Sequence, residues 1–241
     1  MHRARPGGGK GFALLRALFR ALLPGLGLAL FVAEGHAQGV PSAAVIRQAL
    51  DSGAYARADE LATRSTAQLA SQRPSDSGAL LRAQDLLVEA RVLSGKGGDA
   101  RTLSLATRVV RLKEQRFGLT HVETGHALHN AGLVRTARGE FSVAIPLFDR
   151  ALAIRRAGLG NESPLVTETL DRLAFVLIQL ERFKDARPRL DESLRLREQR
   201  AQQDPIGLSR TLELVGLLYR YSGPYADAVP PLDRAIAIAH D

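Results

Sequence analysis

The stretch His121–Glu162, HVETGHALHNAGLVRTARGEFSVAIPLFDRALAIRRAGLGNE, matches its own surroundings when the chain is shifted by 42 residues. Leu128 falls on Leu170 and Leu212, Gly132 on Ala174 and Gly216, and Phe141 on Phe183 and Tyr225. Ala144 falls on Ala186 and Ala228, Pro146 on Pro188 and Pro230, and Ile154 on Leu196 and Ile238. Self-similarity at one fixed spacing of this size is the mark of a stacked repeat array. Within the copy, two apolar stretches of helical length meet at Gly139, so each repeat reads as a helical hairpin.

Working outward, the register runs from Gly78 to Asp241 without insertion, in copies 78–119, 120–161, 162–203 and 204–241. The first copy is the weakest. Leu86, Ala90, Gly97, Val109 and Leu112 fit, while Asp99 stands for the aromatic and Thr102 for the alanine. Residues 38–77 hold a degenerate first hairpin and a linker. Its stripe is Ala43, Val45, Ile46 and Leu50, with a turn at Gly53-Ala54-Tyr55 and the offset of 44 placed in the polar link Ser71–Ser77. Helix starts are signalled by Thr120-His121-Val122-Glu123 as a capping box, and by Ser163-Pro164 and Asp204-Pro205. No run alternates apolar and polar residues as a half-buried strand would, so the expected class is all-α.

Each repeated column has a physical reading. Small residues at 90, 132, 174 and 216 should face small ones at 144, 186 and 228, letting paired helices approach closely. The aromatics at 141, 183 and 225 should plug the gap between hairpins, and the prolines should bend each second helix near its start. Arg155-Arg156 and Arg195-Leu196-Arg197 read as solvated ends of second helices, where cations suit the helix dipole.

Composition is globular, with 45% hydrophobic and 24% charged residues. The net charge of +8 is concentrated at the start. Five of the 33 Lys/Arg and one of the 25 Asp/Glu lie in the first 37 positions, leaving 28 basic against 24 acidic residues elsewhere. A net +4 over the remainder does not argue for nucleic acid. Cysteine is absent, which excludes disulfides, thiolate metal sites and cysteine nucleophiles.

Residues 1–37 read as an export signal. Arg3, Arg5, Lys10, Arg16 and Arg20 form a basic leader, Ala21 to Ala33 is apolar, and Gly35-His36-Ala37 places small residues at the −3 and −1 positions of a cleavage site. Cleavage after Ala37 would send the chain to the periplasm or outside the cell; an uncleaved leader would tie it to the membrane.

The 42-residue copy, with Gly139-Glu140-Phe141, Ala144-Ile145-Pro146-Leu147, Arg150-Ala151-Leu152-Ala153-Ile154-Arg155 and the linker Leu159-Gly160-Asn161-Glu162-Ser163-Pro164, resembles a tetratricopeptide repeat (TPR). More narrowly, it resembles the longer repeat of kinesin light chains. The resemblance implies antiparallel helix hairpins stacked in a right-handed α-solenoid. It covers about two-thirds of the chain, and Glu181 departs from it where other copies have glycine at the inter-helix turn.

In that family the first helix of each repeat lines a concave groove that takes a peptide or a partner's helix. Carried over, the groove positions are Gln84, Leu87, Val88 and Arg91, then His126, His129, Asn130 and Leu133, then Glu168, Asp171, Arg172 and Phe175, then Arg210, Glu213, Leu214 and Leu217. Asn130 matches a groove asparagine suited to a ligand's backbone. The mixture of charges favours neither a highly acidic nor a highly basic ligand.

His121, His126, His129 and Glu168 do not complete a metal set, so no metal or cofactor is expected. No phosphate loop, HExxH or nucleophile elbow is present, so no catalytic residue is assigned. The favoured reading is a non-enzymatic, exported scaffold that binds a protein or peptide in its concave groove. Two alternatives remain open. One is an array that self-associates end-on through Ala228, Leu232, Ala235, Ile236 and Ile238; the other is an accessory subunit of an envelope enzyme.

Overall fold

The computed structural model describes residues 39–72, 77–223 and 225–240; the expected export signal lies outside them. Among the described residues ten α-helices follow one another: α1 (Ala43–Asp51), α2 (Tyr55–Ser71), α3 (Ser77–Arg91), α4 (Ala100–Phe117), α5 (Val122–Ala137), α6 (Phe141–Leu159), α7 (Pro164–Gln179), α8 (Phe183–Glu198), α9 (Pro205–Ser222) and α10 (Tyr225–His240). A π turn, Val92–Lys96, extends α3. No strand occurs among the described residues. Consecutive helices pair as hairpins, and each first helix also packs on the hairpin before it, as in an α-solenoid.

The tight turn of each hairpin needs one left-handed residue. It is Gly53 (φ 75°), Gly95 (φ 83°), Gly139 (φ 72°), Glu181 (φ 57°) and Gly223 (φ 111°) in turn. In four hairpins the second helix starts two residues later; after Gly95 it starts five residues later, at Ala100. The expectation of an uninterrupted register from Gly78 is therefore corrected. Lys96-Gly97-Gly98 replaces a single linking residue and Asp99, the counterpart of Phe141, caps α4 instead of opening it, so two extra residues sit in this turn and not in the link Ser71–Ser77. First helices α3 and α5 and second helices α2 and α4, on the two sides of the insertion, are related by 44 residues, whereas the other successive copies keep 42.

This shift re-pairs the small-residue column. The position equivalent to Gly132 in α3 is Val88, not Ala90, and its counterpart in α1 is Ile46. A Cβ placed on Gly132 would lie 2.6 Å from the Phe148 ring, and one on Gly216 2.5 Å from Leu232. The partner of the small column is thus the large residue at 148, 190 and 232, and not the alanine at 144, 186 and 228. Where the first helix is large the second is small: Ile46 with Ala62, Val88 with Ala106, Gly132 with Phe148, Ala174 with Leu190, Gly216 with Leu232. Each pair fills about the same volume, which close packing demands.

Phe141 and Phe183 are partly buried plugs, as expected, but Tyr225 is 70% exposed. Pro146 and Pro188 lie inside helices that stay continuous through them. Ile46 and Leu50 of the first stripe are buried, whereas Ala43 and Val45 are exposed. Ser163 and Asp204 cap α7 and α9 through Leu165 N (3.3 Å) and Gly207 N (2.9 Å). The capping box at Thr120 is corrected. His121 is the N-cap, its Nδ1 accepting from Glu123 N, and the Glu123 carboxylate turns away to Lys113.

Candidate functional site: the inner face of the first helices

The first helices lie side by side and line one face. One cavity there, ≈ 710 Å³, lies among α1, α3, α5 and α7, and a second, ≈ 570 Å³, lies between α7 and α9. They meet at Leu165, Glu168 and Arg172, which line both. His126, His129, Asn130, Leu133, Glu168 and Arg172 line the first cavity. Asp171, Phe175, Arg210, Glu213 and Leu214 line the second, together with Glu168 and Arg172. Leu217 lines neither and packs partly buried against the core. In α3 the inserted residues move the lining to Arg82, Asp85, Leu86 and Glu89. Leu87 and Val88, expected in the groove, are core residues at 4% and 0% exposure, because at the offset of 44 it is Leu86 and Glu89 that take the positions of Asn130 and Leu133.

Beneath the groove three of the four junctions between hairpins hold one buried cation, Lys113, Arg155 or Arg197, spaced by 42. The expected solvated helix ends at Arg155 and Arg197 are corrected, since these side chains are 2% and 8% exposed. The following first helix covers them, so they must be paired. Lys113 Nζ donates to Asp85 (2.6 Å) and to Glu123 of the next helix (2.8 Å). Arg155 donates to Leu165 O (2.9 Å) and Thr169 Oγ1 (2.7 Å) on α7. Arg197 donates to Asp171 (3.0 Å) and to Asp204, the cap of α9. Asp171 also accepts from Ser193 (2.6 Å) and Thr211 (3.0 Å). The signal for these ties was a basic residue recurring at the repeat spacing.

Several expected groove residues share in this floor. Asn130 Nδ2 donates to Asp85 Oδ1 at 2.8 Å, so that amide proton is held by the preceding hairpin. His129 is 2% exposed, lies edge-on to Phe148, and has Nδ1 3.3 Å from Thr169 Oγ1. Its Nε2 approaches Glu168 Oε1 at 3.5 Å, a polar contact rather than a formed hydrogen bond. Burial lowers the His129 pKa to about 4, outweighing Glu168. His126 is lowered too, by burial and then by Arg155. Burial works against the Glu168 carboxylate, yet His129, Arg155 and Arg172 together hold its pKa below the usual range. Burial pushes Asp171 up, against Arg197, Ser193 and Thr211.

The acids of the first cavity are engaged. Asp85 and Glu123 hold Lys113, Glu89 holds Arg47 through two bonds of 2.6 and 2.9 Å, and Glu168 faces Arg155 at 3.6 Å. Arg82, Arg172 and Arg210 are exposed on this face and form no ion pair among the described residues. No group of three His, Asp or Glu with metal-holding geometry occurs among the described residues. No described helix is long and apolar enough to cross a membrane.

The fold and its lined inner face define an α-solenoid of stacked helical hairpins. The tetratricopeptide repeat model matches residues 123–199, which span the hairpins α5–α6 and α7–α8. Among solved structures, the chain is similar to the kinesin light chain nearly identical TPR-like repeats of Podosopora anserina, at 19% identity and a TM-score of 0.64, covering 81% of this chain and 92% of that one. It is also similar to BtubC (BKLC) from P. vanneervenii, at 18% identity and a TM-score of 0.66, covering 81% of this chain and 77% of that one. The fold is thus that of the kinesin-light-chain-like arrays. No curated protein sequence matches the chain. Repeats of this kind bind protein partners, and the scaffolds built from them are generally not enzymes.

Proposed function

We propose that the chain is an exported, non-catalytic scaffold whose inner face holds an extended segment of a protein partner. One observation carries this reading: two adjoining cavities run along the first helices, the first with Arg82 and Arg172 outside any ion pair among the described residues and no unpaired acid, the second with Arg210 beside one unpaired acid, Glu213. Because the acids of the first cavity are already paired, the balance there favours a segment carrying carboxylates beside apolar groups that reach Leu133, Leu165 and Phe175. The basic leader, apolar run and Gly35-His36-Ala37 support export and action in the cell envelope.

The test is a crosslinking pull-down from envelope extract with the wild type, with Arg172→Glu/Arg210→Glu, and with Arg108→Glu on the exposed side of α4 as control. A protein captured by the wild type and the control but lost from the double variant supports the reading. Equal capture by all three sinks the groove. Intact mass of the bait checks export: a chain beginning at Gln38 supports it, and one beginning at Met1 in the cytosolic fraction overturns it.

A further inference from the structure

The last hairpin departs from the others on the face that a following hairpin would cover. Tyr225, Val229, Leu232 and Ile236 of α10 are 70%, 54%, 36% and 56% exposed. Their spacing of four, three and four residues forms one apolar seam of the kind that joins two helices. At the corresponding positions of α6, Phe148 and Leu152 are 0% and 3% exposed, covered by the next hairpin.

Three substitutions show that the seam is not shaped for another hairpin of the same kind. The cation that ties the second, third and fourth hairpins onward, Lys113, Arg155 or Arg197, is replaced at the same register by Ala239. On α9, Arg220 stands where α7 has Ile178, which is 2% exposed. Glu213 stands where α7 has Asp171, the residue that Arg197 and Thr211 bind. Glu213 and Arg220 are exposed, form no ion pair among the described residues, and lie seven residues apart. That places opposite charges about two helical turns apart on one face.

The opposite face of the array is not complementary to this seam. Where the other first helices bury Ala90, Val134, Val176 and Leu218, α1 presents an exposed Gln48. Head-to-tail stacking would set apolar residues against this amide. A twofold axis meets the requirement instead, because a residue i that contacts j is matched by j contacting i. Two antiparallel α10 helices then share one seam, and Glu213 of each copy meets Arg220 of its mate.

We infer that the α9/α10 face docks a second copy of this chain in a twofold dimer. The test is sedimentation velocity on the full 241-residue chain across a concentration series. A monomer–dimer equilibrium is expected, shifted at least tenfold toward monomer by Val229→Glu/Ile236→Glu, with helical circular dichroism retained. Glu213→Arg and Arg220→Glu should each weaken the dimer, and the double exchange should restore it. A wild type that stays monomeric, a dimer indifferent to the α10 variant, or growth into longer head-to-tail polymers would overturn the inference.

Discussion

The Phe148 ring occupies the space that a side chain at position 132 would need: a Cβ on Gly132 would stand 2.6 Å from Phe148 Cε1. Gly132→Ala gains helix propensity but must displace a ring that is fully buried. A net loss of about 1–2 kcal/mol is expected, within the usual cost of overpacking. The repeat supplies its own rescue, since the next copy pairs Ala174 with Leu190. Gly132→Ala combined with Phe148→Leu should be more stable than the sum of the two single changes by about 1 kcal/mol. Urea unfolding of the four proteins measures this coupling, and strict additivity would show that the two positions do not share volume.

Glu181 holds the left-handed turn position, at φ 57°, that glycine takes in the other four hairpins. A residue with a Cβ costs roughly 1–2 kcal/mol there. Glycine gives back part of that gain as extra freedom of the unfolded chain. Glu181→Gly should therefore stabilise the protein by about 0.5–1 kcal/mol. A thermal midpoint that rises checks this; one that falls would mean that the glutamate makes a contribution beyond backbone strain.

These two relationships differ in how far the sequence displayed them. The turn column was legible because Gly53, Gly139 and Gly223 punctuate apolar stretches of helical length. The register of α3 was not, because Gly95, Gly97 and Gly98 crowd one turn and any of them could be the left-handed residue. Choosing Gly97 moved Leu87 and Val88 from the core into the groove. The buried cations were hidden for another reason. A helix end rich in arginine looks solvated until the neighbouring hairpin is placed over it, and that placement is tertiary. Their recurrence at 113, 155 and 197 was nevertheless visible, and a charged column kept at the repeat spacing marks a junction.

At one of those junctions Arg197 and Asp171 are both about 9% exposed at the side chain and lie 3.0 Å apart. Removing the cation alone leaves a buried carboxylate with only hydroxyl donors. Arg197→Met should cost about 3–5 kcal/mol, whereas Arg197→Met with Asp171→Asn should recover most of it. The amide oxygen of that asparagine can still accept from Ser193 and Thr211. For contrast, Arg187–Asp191 is an exposed i,i+4 pair at 2.9 Å. Arg187→Ala, which also loses the guanidinium's contact with the Tyr219 ring at 5.1 Å, should cost no more than about 1 kcal/mol. Equal losses at the two sites, read from denaturant midpoints, would mean that the junction is open to water.

Stability should also fall on mild acidification because His129 is buried as a neutral ring. Its pKa is lowered to about 4 by burial, against 6.5 for an ordinary histidine. Above about pH 6.5 both folded and unfolded chains carry it neutral, and it contributes no slope. Between pH 6.5 and 4 the unfolded chain takes up the proton and the folded chain does not, so the stability present at neutral pH is lost as pH falls. Below pH 4 that loss is complete, at roughly 3 kcal/mol for this group. Replacing His129 with glutamine keeps a polar side chain of similar size beside Thr169 but removes the titration. Plotted from pH 7 to 4, the unfolding free energy of the wild type should drop more steeply than that of His129→Gln. Parallel curves would mean that the ring binds its proton as readily in the folded protein as in the unfolded chain.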